Sequence, residues 1–370
     1  MPFAFNVIIN MKQYDIEYVV ILLILGLFFL FGLNSRKPNE RIFVLFGIDK
    51  EMSNAIRGIA CVFVLMGHWA TMRIVNNEFH LGGVVSVVIY YLSANVALTW
   101  FMFFSGYGMS LKRISLNNCR TNWWKSVKKI YCPLLLVSVI SVVFYAFLPD
   151  IYSIDGCRSL YLPDTIYQIH HLNSNYIIPI LQQSVGWADW YVVCILVFYS
   201  IFYISSYLSN KYKWNVTLLL SLFLIGYYLF AFFYFGPSQA HYFRYVWVFM
   251  LGHAVARRTK LSWIMSGVLF FPLLFTESVY ILIAYGVAVF ALLLFSVVNF
   301  RYEMRSPFLF FIGVISYFFY LSHIRIGYSI LTYSGKSSII GWVILTILIS
   351  YILYKIYNTK GLFRTKNIKK

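Results

Sequence analysis

Two ionisable residues, eleven positions apart, give this 370-residue chain its clearest sign of chemistry: Arg57 near the start of an apolar segment and His68 near its middle. At about 100° and about 1.5 Å per residue, a helix would carry both side chains on one face, about 16 Å apart. Histidine can accept a proton at neutral pH, and a guanidinium can hold phosphate. The spacing therefore predicts a general base within the membrane and an anion-binding group at its mouth. It leaves open that His68 only bonds a neighbouring helix and that Arg57 only anchors the topology.

The composition indicates a membrane protein that must position this pair. Apolar residues make up 61% of the chain and charged residues 11%, whereas soluble domains have about half and a quarter. Repeated apolar runs are long enough to cross a bilayer. We predict an all-α polytopic transmembrane helix bundle with about eleven spans, of which the seventh and eighth are short. The spans lie near residues 16–33, 55–75, 84–107, 130–148, 189–208, 215–235, 243–256, 261–275, 278–298, 308–326 and 338–357.

The distribution of positive charge predicts the orientation. Of the 30 lysines and arginines, 24 fall in alternate loops, which the positive-inside rule assigns to the cytoplasm. The N-terminus is then outside and the C-terminus cytoplasmic. The same rule accounts for the net charge of +18, and because no nucleic-acid-reading motif is present we expect no nucleic-acid partner. The six lysines and arginines that lie outside the predicted cytoplasmic loops are Lys12, Arg73, Arg158, Arg244, Arg325 and Lys336.

The cysteines and the first apolar run bear on processing and metals. The five cysteines form no CxxC pair and no metal-like spacing, so we expect no metal site. The run from Ile16 to Leu33 has no small-residue cleavage site after it, which favours a retained helix over a signal peptide. We divide the chain into an extra N-terminal helix and loop (1–50), a membrane domain (51–357) and a basic tail (358–370).

Six segments in order resemble the acyltransferase-3 superfamily of bacterial integral membrane O-acyltransferases. They are Arg57-Gly58-Ile59-Ala60 with His68, Trp100 to Tyr107, Trp124 to Pro133, Trp190-Tyr191, Phe249 to Gly252, and Gly313 to His323. The Trp124 to Pro133 stretch resembles the family's basic segment leading into a helix that starts at proline. Cys194 stands where many members have a glutamate. Many members also carry an extracytoplasmic hydrolase-like domain, which we do not expect here.

The resemblance implies an acyl-CoA donor, for which we expect acetyl-CoA. The basic segment after residue 110 suits its phosphates, because lysine and arginine bind phosphate by charge-assisted hydrogen bonds. These cations could instead only enforce topology or touch anionic lipid, and Ser105-Gly106 could instead serve helix packing. The donor-binding candidates are Arg57, Ser105, Gly106, Lys112, Arg113, Lys125, Lys128 and Lys129.

The resemblance also implies a hydroxyl acceptor on a cell-surface saccharide, free or lipid-linked. We expect His68, with Arg57, to catalyse the transfer as a general base; a covalent acyl-histidine is the less favoured variant. His323 is expected near the outer leaflet, far from the base, where it could instead be only a capped interfacial histidine. The external segment 149–188 has a composition that suits sugars, although an ordinary solvated loop would have the same composition. The expected location is the bacterial inner membrane, beside polysaccharide biosynthesis machinery. The acceptor-binding candidates are Tyr107, Trp190, Tyr317, Tyr320 and His323.

Two other function classes compete with an enzyme. Many spans and a long external segment would suit a saccharide transporter or flippase, but no Asp or Glu lies in the middle of a predicted span, where proton-coupled carriers place a relay. A membrane scaffold with a decayed site is the third, and the presence of both Arg57 and His68 argues against it.

Overall fold

The computed structural model describes residues 13–36, 48–75, 84–112, 114–147, 190–328 and 338–359. The predicted sugar-binding segment 149–188, Arg113 and the end of the basic tail lie outside the described residues. The statements below concern the described ranges.

The chain forms a bundle of helices with one short two-stranded sheet. Its helices are α1 (Gln13–Phe31), α2 (Lys50–Val75), α3 (Val84–Val88), α4 (Ala94–Ser110), α5 (Leu116–Phe147), α6 (Trp190–Tyr212), α7 (Val216–Phe235), α8 (Val246–Arg257), α9 (Lys260–Phe270), α10 (Leu273–Thr276), α11 (Val279–Arg301), α12 (Pro307–Ser322) and α13 (Ile339–Thr359). A π-helical turn, Ile89–Ser93, joins α3 to α4, and a second, His323–Tyr328, follows α12. A 3₁₀ turn, Pro237–Tyr242, precedes α8, and the strands are β1 (Leu33–Ser35) and β2 (Tyr302–Met304).

The protein is an all-α membrane protein, as the composition predicts. Five helical stretches among the described residues are long and apolar enough to cross a bilayer: Val85–Ser110, Trp190–Tyr212, Val216–Phe235, Val279–Arg301 and Ile339–Asn358. A helix coincides with each predicted apolar run. The count of eleven spans and the orientation of the termini stay predictions.

Helix α5 differs from its predicted form. The sequence predicted a helix starting at Pro133, after a basic stretch, but the helix begins at Leu116 and runs through Pro133 without a break. A proline inside a helix loses one backbone hydrogen bond, which transmembrane helices tolerate when neighbouring helices support the turn. The basic residues 120–129 are therefore held on a rigid helix rather than on a loop.

The seventh and eighth predicted spans are two separate short helices. Helix α8 ends at Arg257, and Arg258 takes a left-handed conformation with φ 56°. Thr259 then caps α9, its side-chain oxygen accepting from the backbone N–H of Ser262 at 3.2 Å. A left-handed residue is a common helix terminator, and threonine is a favoured N-cap, so the chain turns sharply between α8 and α9.

The N-terminal helix α1 is attached to the bundle by its two acidic residues. Asp15 accepts hydrogen bonds from Ser86 at the start of α3. Glu17 accepts from the backbone N–H of Ile339, at 2.8 Å, and so caps α13. Carboxylates at helix N-termini satisfy otherwise unpaired N–H groups and oppose the helix dipole. At the other end of α1, β1 pairs antiparallel with β2, Leu33 opposite Met304.

Glycines allow two helix pairs in the centre of the bundle to approach closely. A Cβ at Gly106 of α4 would overlap the carbonyl oxygen of Phe249 in α8. A Cβ at Gly313 of α12 would overlap the carbonyl oxygen of Asn54 in α2, and one at Gly58 would lie 2.7 Å from the carbonyl oxygen of Leu309. Small residues at such crossings are typical of membrane helix packing.

The crossing at Gly106 gives a first prediction. We expect Gly106→Ala to lower the free energy of unfolding by about 1–3 kcal/mol, because the added methyl meets backbone that cannot move aside cheaply. Gly108→Ala, two residues along the same helix, is the matched control, because a Cβ there meets nothing within 4 Å. Thermal unfolding in detergent measures both. Equal stabilities for the two variants would contradict the packing role.

Candidate functional site

Two cavities lie on either side of a tyrosine layer inside the bundle. One has a volume of about 410 Å³ and contains both His68 and His323 in its wall; we call it the histidine cavity. The other has a volume of about 600 Å³ and contains Arg57 and three lysines; we call it the basic cavity. Tyr320 lines both.

His68 and Arg57 lie on one continuous helix, α2, as the spacing predicts. They face different cavities: Arg57 lines the basic cavity and His68 the histidine cavity. Two residues one above the other on a helix face can serve two compartments, because about 16 Å of rise separates them. The helix therefore connects an anion-binding group on one side of the tyrosine layer to an imidazole on the other.

His323 lies beside His68, with ring centroids 5.1 Å apart, and it is 2% exposed. The expectation that it lies far from His68, near the outer surface, is therefore wrong. The reason is the packing of α2 on α12: Gly58 contacts Gly313, and both histidines follow ten residues later in parallel helices. Equal numbers of residues give equal rise, so the two imidazoles reach the same depth.

Backbone bonds fix the orientation of His323. Its Nδ1 lies 2.6 Å from the carbonyl oxygen of Tyr320, which requires Nδ1 to carry a proton and donate it. Its own carbonyl accepts from the indole N–H of Trp342 at 2.7 Å. The bond at Nδ1 leaves Nε2 as the basic nitrogen of the neutral ring.

Aromatic and amide groups complete the histidine cavity. Trp190, a predicted acceptor residue, lines it and stacks on Tyr245 with 5.8 Å between ring centroids and 12° between planes; its acceptor role stays a prediction. The hydroxyl of Tyr245 donates to Oδ1 of Asn95 at 3.1 Å, and Asn95 is also a lining residue. Sequence reasoning missed Asn95, Tyr90, Tyr91 and Tyr280 of this cavity, because one polar or aromatic residue in an apolar run resembles ordinary helix packing.

The basic cavity has four cations in its wall: Lys50, Arg57, Lys112 and Lys129. Among the described residues, none that lines this cavity carries a carboxylate. The guanidinium of Arg57 donates to Ser53 Oγ at 3.0 Å and lies 5.5 Å from the ring centre of Phe104. Removing cations from water is costly unless an anion compensates them. The cavity therefore has the electrostatic character of a site for a multiply charged anion.

Lys112 follows the end of α4 and reaches into this cavity. Its ammonium lies 3.2 Å from Ser126 Oγ, 3.1 Å from Met109 Sδ and 6.0 Å from the ring centre of Tyr199. Burial, with a smaller contribution from the charge of Lys129, lowers the pKa of Lys112 to about 8. The ammonium therefore loses its proton at a lower pH than an ordinary lysine.

That pKa predicts pH-dependent donor binding. Below about pH 8 Lys112 is charged and would contribute to binding an anion in this cavity, and as the pH rises through 8 this contribution would be lost. We expect the Kd for acetyl-CoA to rise about tenfold between pH 7 and 9, which corresponds to about 1.4 kcal/mol for one charge-assisted bond. Lys112→Arg should remove this rise, because arginine stays charged. Identical pH profiles for the two proteins, measured by equilibrium binding, would contradict the assignment.

The structure divides the remaining donor candidates. Ser105 and Lys129 line the basic cavity. Lys125 is exposed, and Lys128 lies 5.2 Å from the ring centre of Trp124; neither lines the basic cavity. Lys128 points about 100° away from Lys129, and Lys125 shares the face of Lys129 but lies one turn, about 6 Å, away along the helix. Gly106 packs against α8 rather than facing a cavity. Sequence reasoning missed Lys50, which it had counted only toward topology.

The acceptor candidates are divided in the same way. Tyr107 lies away from both cavities and stacks on Phe103, with 6.0 Å between centroids and 7° between planes. Tyr317 lines the basic cavity, not the histidine cavity, and its hydroxyl donates to the carbonyl of Ile130 at 2.9 Å. Tyr320 packs on Tyr191, 4.8 Å between centroids, and these two rings form the layer between the cavities.

Cys194 occupies the position at which many members of the family that the chain resembles have a glutamate. It is 1% exposed, and its thiol lies 3.1 Å from the carbonyl oxygen of Tyr242. A buried thiol is a small, weakly polar group, so this position packs the bundle here instead of supplying a charge.

The chain was compared with known proteins. No curated protein and no solved structure matches it. The acyltransferase-3 family model, described as an acyltransferase domain, matches residues 52–355, which include Arg57, His68, Lys112, Tyr320 and His323. The match covers well over half of the chain and takes in the lining of both cavities except Lys50. The chain is therefore a multi-pass membrane acyltransferase that belongs to the acyltransferase-3 family.

Proposed function

We propose that the protein transfers an acetyl group from acetyl-CoA, bound in the basic cavity, to a saccharide hydroxyl bound in the histidine cavity. One observation carries the proposal: two cavities of opposite chemical character share a wall at Tyr320. A donor and an acceptor that arrive from opposite sides of a membrane need such an arrangement. The acyl carbon would pass beside Tyr320 and Tyr191 to meet the hydroxyl.

The donor side is supported by charge. CoA carries several phosphate charges, and the four cations match them, with no carboxylate among the described residues of the lining. Arg57 is best placed for a phosphate, because its planar guanidinium can bind two oxygens at once. The positive-inside pattern would set this cavity toward the cytoplasm, where acyl-CoA is made.

The acceptor side is supported by the two histidines and the aromatic wall. His68 would accept the proton of the acceptor hydroxyl as its oxygen attacks the acyl carbon. The carbon–sulfur bond then breaks, the acetyl group stays on the oxygen as an ester, and the CoA thiolate leaves and takes up a proton. His323, at the same depth, would orient the acceptor, while Trp190 and Asn95 offer a ring face and an amide to a sugar.

The proposed setting is the bacterial inner membrane, with polysaccharide biosynthesis machinery supplying the acceptor. A saccharide carrier is less well supported, because the described residues that line the two cavities include no Asp or Glu to couple transport to protons. The acyltransferase family match favours group transfer over transport.

Two assays separate the functions. Purified protein in nanodiscs with acetyl-labelled acetyl-CoA should transfer label to glycans extracted from the source membrane, and mass spectrometry should show one added acetyl group. Reconstituted vesicles should take up no sugar when acyl-CoA is absent. Sugar uptake without acyl-CoA, together with no labelled glycan, would contradict the proposal.

A further inference from the structure

The histidine cavity has two stacked tyrosines on the lipid-facing side of its wall. Tyr91, in the π-helical turn before α4, stacks on Tyr280 at the start of α11, with 4.3 Å between ring centroids and 19° between planes. Both line the cavity, yet Tyr91 is 37% and Tyr280 53% exposed. Tyr280 continues the exposed apolar stripe of Ile283, Val287 and Phe290 along α11, and such a stripe on a membrane helix suits contact with lipid. The stacked pair therefore has the cavity on one side and the bilayer on the other.

A hydrogen bond joins the same two helices deeper in the bundle. The indole N–H of Trp100 in α4 donates to the carbonyl of Ala288 in α11 at 3.0 Å. Trp100 follows Tyr91 by nine residues and Ala288 follows Tyr280 by eight, so the bond lies about 12–14 Å below the tyrosines. This bond thus joins the two helices deep in the bundle. Nearer the starts of the helices, the stacked tyrosines close the seam between the π-helical turn and α11.

The local backbone suits a seam that opens. Tyr91 lies in a π-helical turn, which has a wider hydrogen-bonding ring and is often found at functional sites. Tyr280 lies in the first turn of α11, where the backbone has fewer intrahelical bonds. A change in either tyrosine rotamer would separate the rings without breaking the Trp100 bond.

The cavity changes character from its interior to this seam. His68, His323 and Asn95 present polar groups inside it, whereas Ile281 and Tyr280 line it on the seam side. Val279 and Ile283, which flank Tyr280, are 67% and 49% exposed and continue the apolar surface into lipid. This gradient from polar to apolar matches a molecule with a sugar at one end and a hydrocarbon chain at the other.

We propose that the Tyr91–Tyr280 seam is a lateral portal through which a lipid-linked saccharide enters from the bilayer. Its sugar reaches His68 while its hydrocarbon chain stays between the π-helical turn and α11. This inference rests on the proposed function and names the substrate class of the same site: an amphiphilic, membrane-anchored acceptor in place of a free, water-soluble sugar.

Photo-crosslinking in native membranes tests the occupant. Benzoylphenylalanine replaces Tyr91 or Tyr280, and in a control protein it replaces Phe290, which is also on α11, 61% exposed and outside the cavity lining. After irradiation, mass spectrometry identifies the adducts. We expect molecules that contain both saccharide and hydrocarbon at positions 91 and 280, and phospholipid alone at 290. The same phospholipids at all three positions would overturn the proposal.

A second experiment closes the seam. Tyr91→Cys with Tyr280→Cys, in a Cys157→Ser background, is cross-linked by a short bis-methanethiosulfonate; the other four cysteines are buried. Cross-linking should lower acetyl transfer to membrane glycans at least tenfold, reductant should restore it, and equilibrium binding of acetyl-CoA should not change. Full transfer after cross-linking would overturn the portal alone. Failure of the proposed function would instead appear as no transfer by the parent protein, which keeps both tyrosines.

Discussion

Replacing His68 by alanine is expected to lower acetyl transfer by about 10²–10⁴-fold, the usual contribution of a positioned general base. The acceptor hydroxyl would lose its proton acceptor, and the cavity would gain only a small space. The measurement is the turnover of acetyl-labelled acetyl-CoA onto membrane glycans. Equilibrium binding of acetyl-CoA should stay unchanged, because Arg57 and the lysines lie in the other cavity.

Controls separate catalysis from packing. The thermal unfolding temperature of His68→Ala should stay close to that of the parent protein, and added imidazole should restore part of the turnover. Rescue by a free base would not be expected if the ring only filled space. Full turnover in His68→Ala, with normal folding, would exclude the base role.

Replacing Arg57 by glutamine is expected to raise the Kd for acetyl-CoA by about 10–150-fold, which corresponds to the loss of about 1.5–3 kcal/mol for a hydrogen bond to a charged group. The glutamine can still bond Ser53, but it cannot neutralise a phosphate. Arg57→Lys should lose less, because it keeps the charge but not the two-pronged geometry. Isothermal titration in nanodiscs measures the three proteins.

Arg305→Gln is the matched control for charge. Arg305 is exposed, pairs with Glu303 at 2.8 Å and lines neither cavity. Exposed ion pairs contribute little stability, so this variant should fold and bind acetyl-CoA as the parent does. An equal loss of binding in Arg305→Gln and Arg57→Gln would show that general surface charge, and not the basic cavity, attracts the donor.

The sequence alone was enough to predict the helices and to place Arg57 and His68 on the same helix. The lengths of the apolar runs predicted a helix at every observed membrane segment, because a helix must be long enough to cross the bilayer. The helical period placed Arg57 and His68 on one helix. Of the predicted acceptor residues, Trp190, Tyr320 and His323 line the histidine cavity, Tyr317 lines the basic cavity and Tyr107 lines neither; their roles stay predictions.

Contacts between helices were beyond the sequence. His323 reaches His68 because Gly58 and Gly313 set the register of α2 on α12, and that register depends on three-dimensional packing. From the sequence alone, Gly106 could equally be a glycine that lets a ligand approach the backbone. In the structure, α8 occupies the space beside it. Lys125, Lys128 and Lys129 are indistinguishable by charge; of the three, only Lys129 has both the rotation on α5 and the position along its axis that reach the basic cavity.

The most direct test of the two-cavity account is a sided transfer assay. The protein is reconstituted in one orientation, determined by protease access to a C-terminal tag, together with lipid extract from the source membrane. Membrane-impermeant, acetyl-labelled acetyl-CoA is then supplied to one face at a time. The account predicts labelled glycan only when acetyl-CoA is on the face that carries the basic cavity and the C-terminus. Labelling from the opposite face alone, or equal labelling from both, would contradict it.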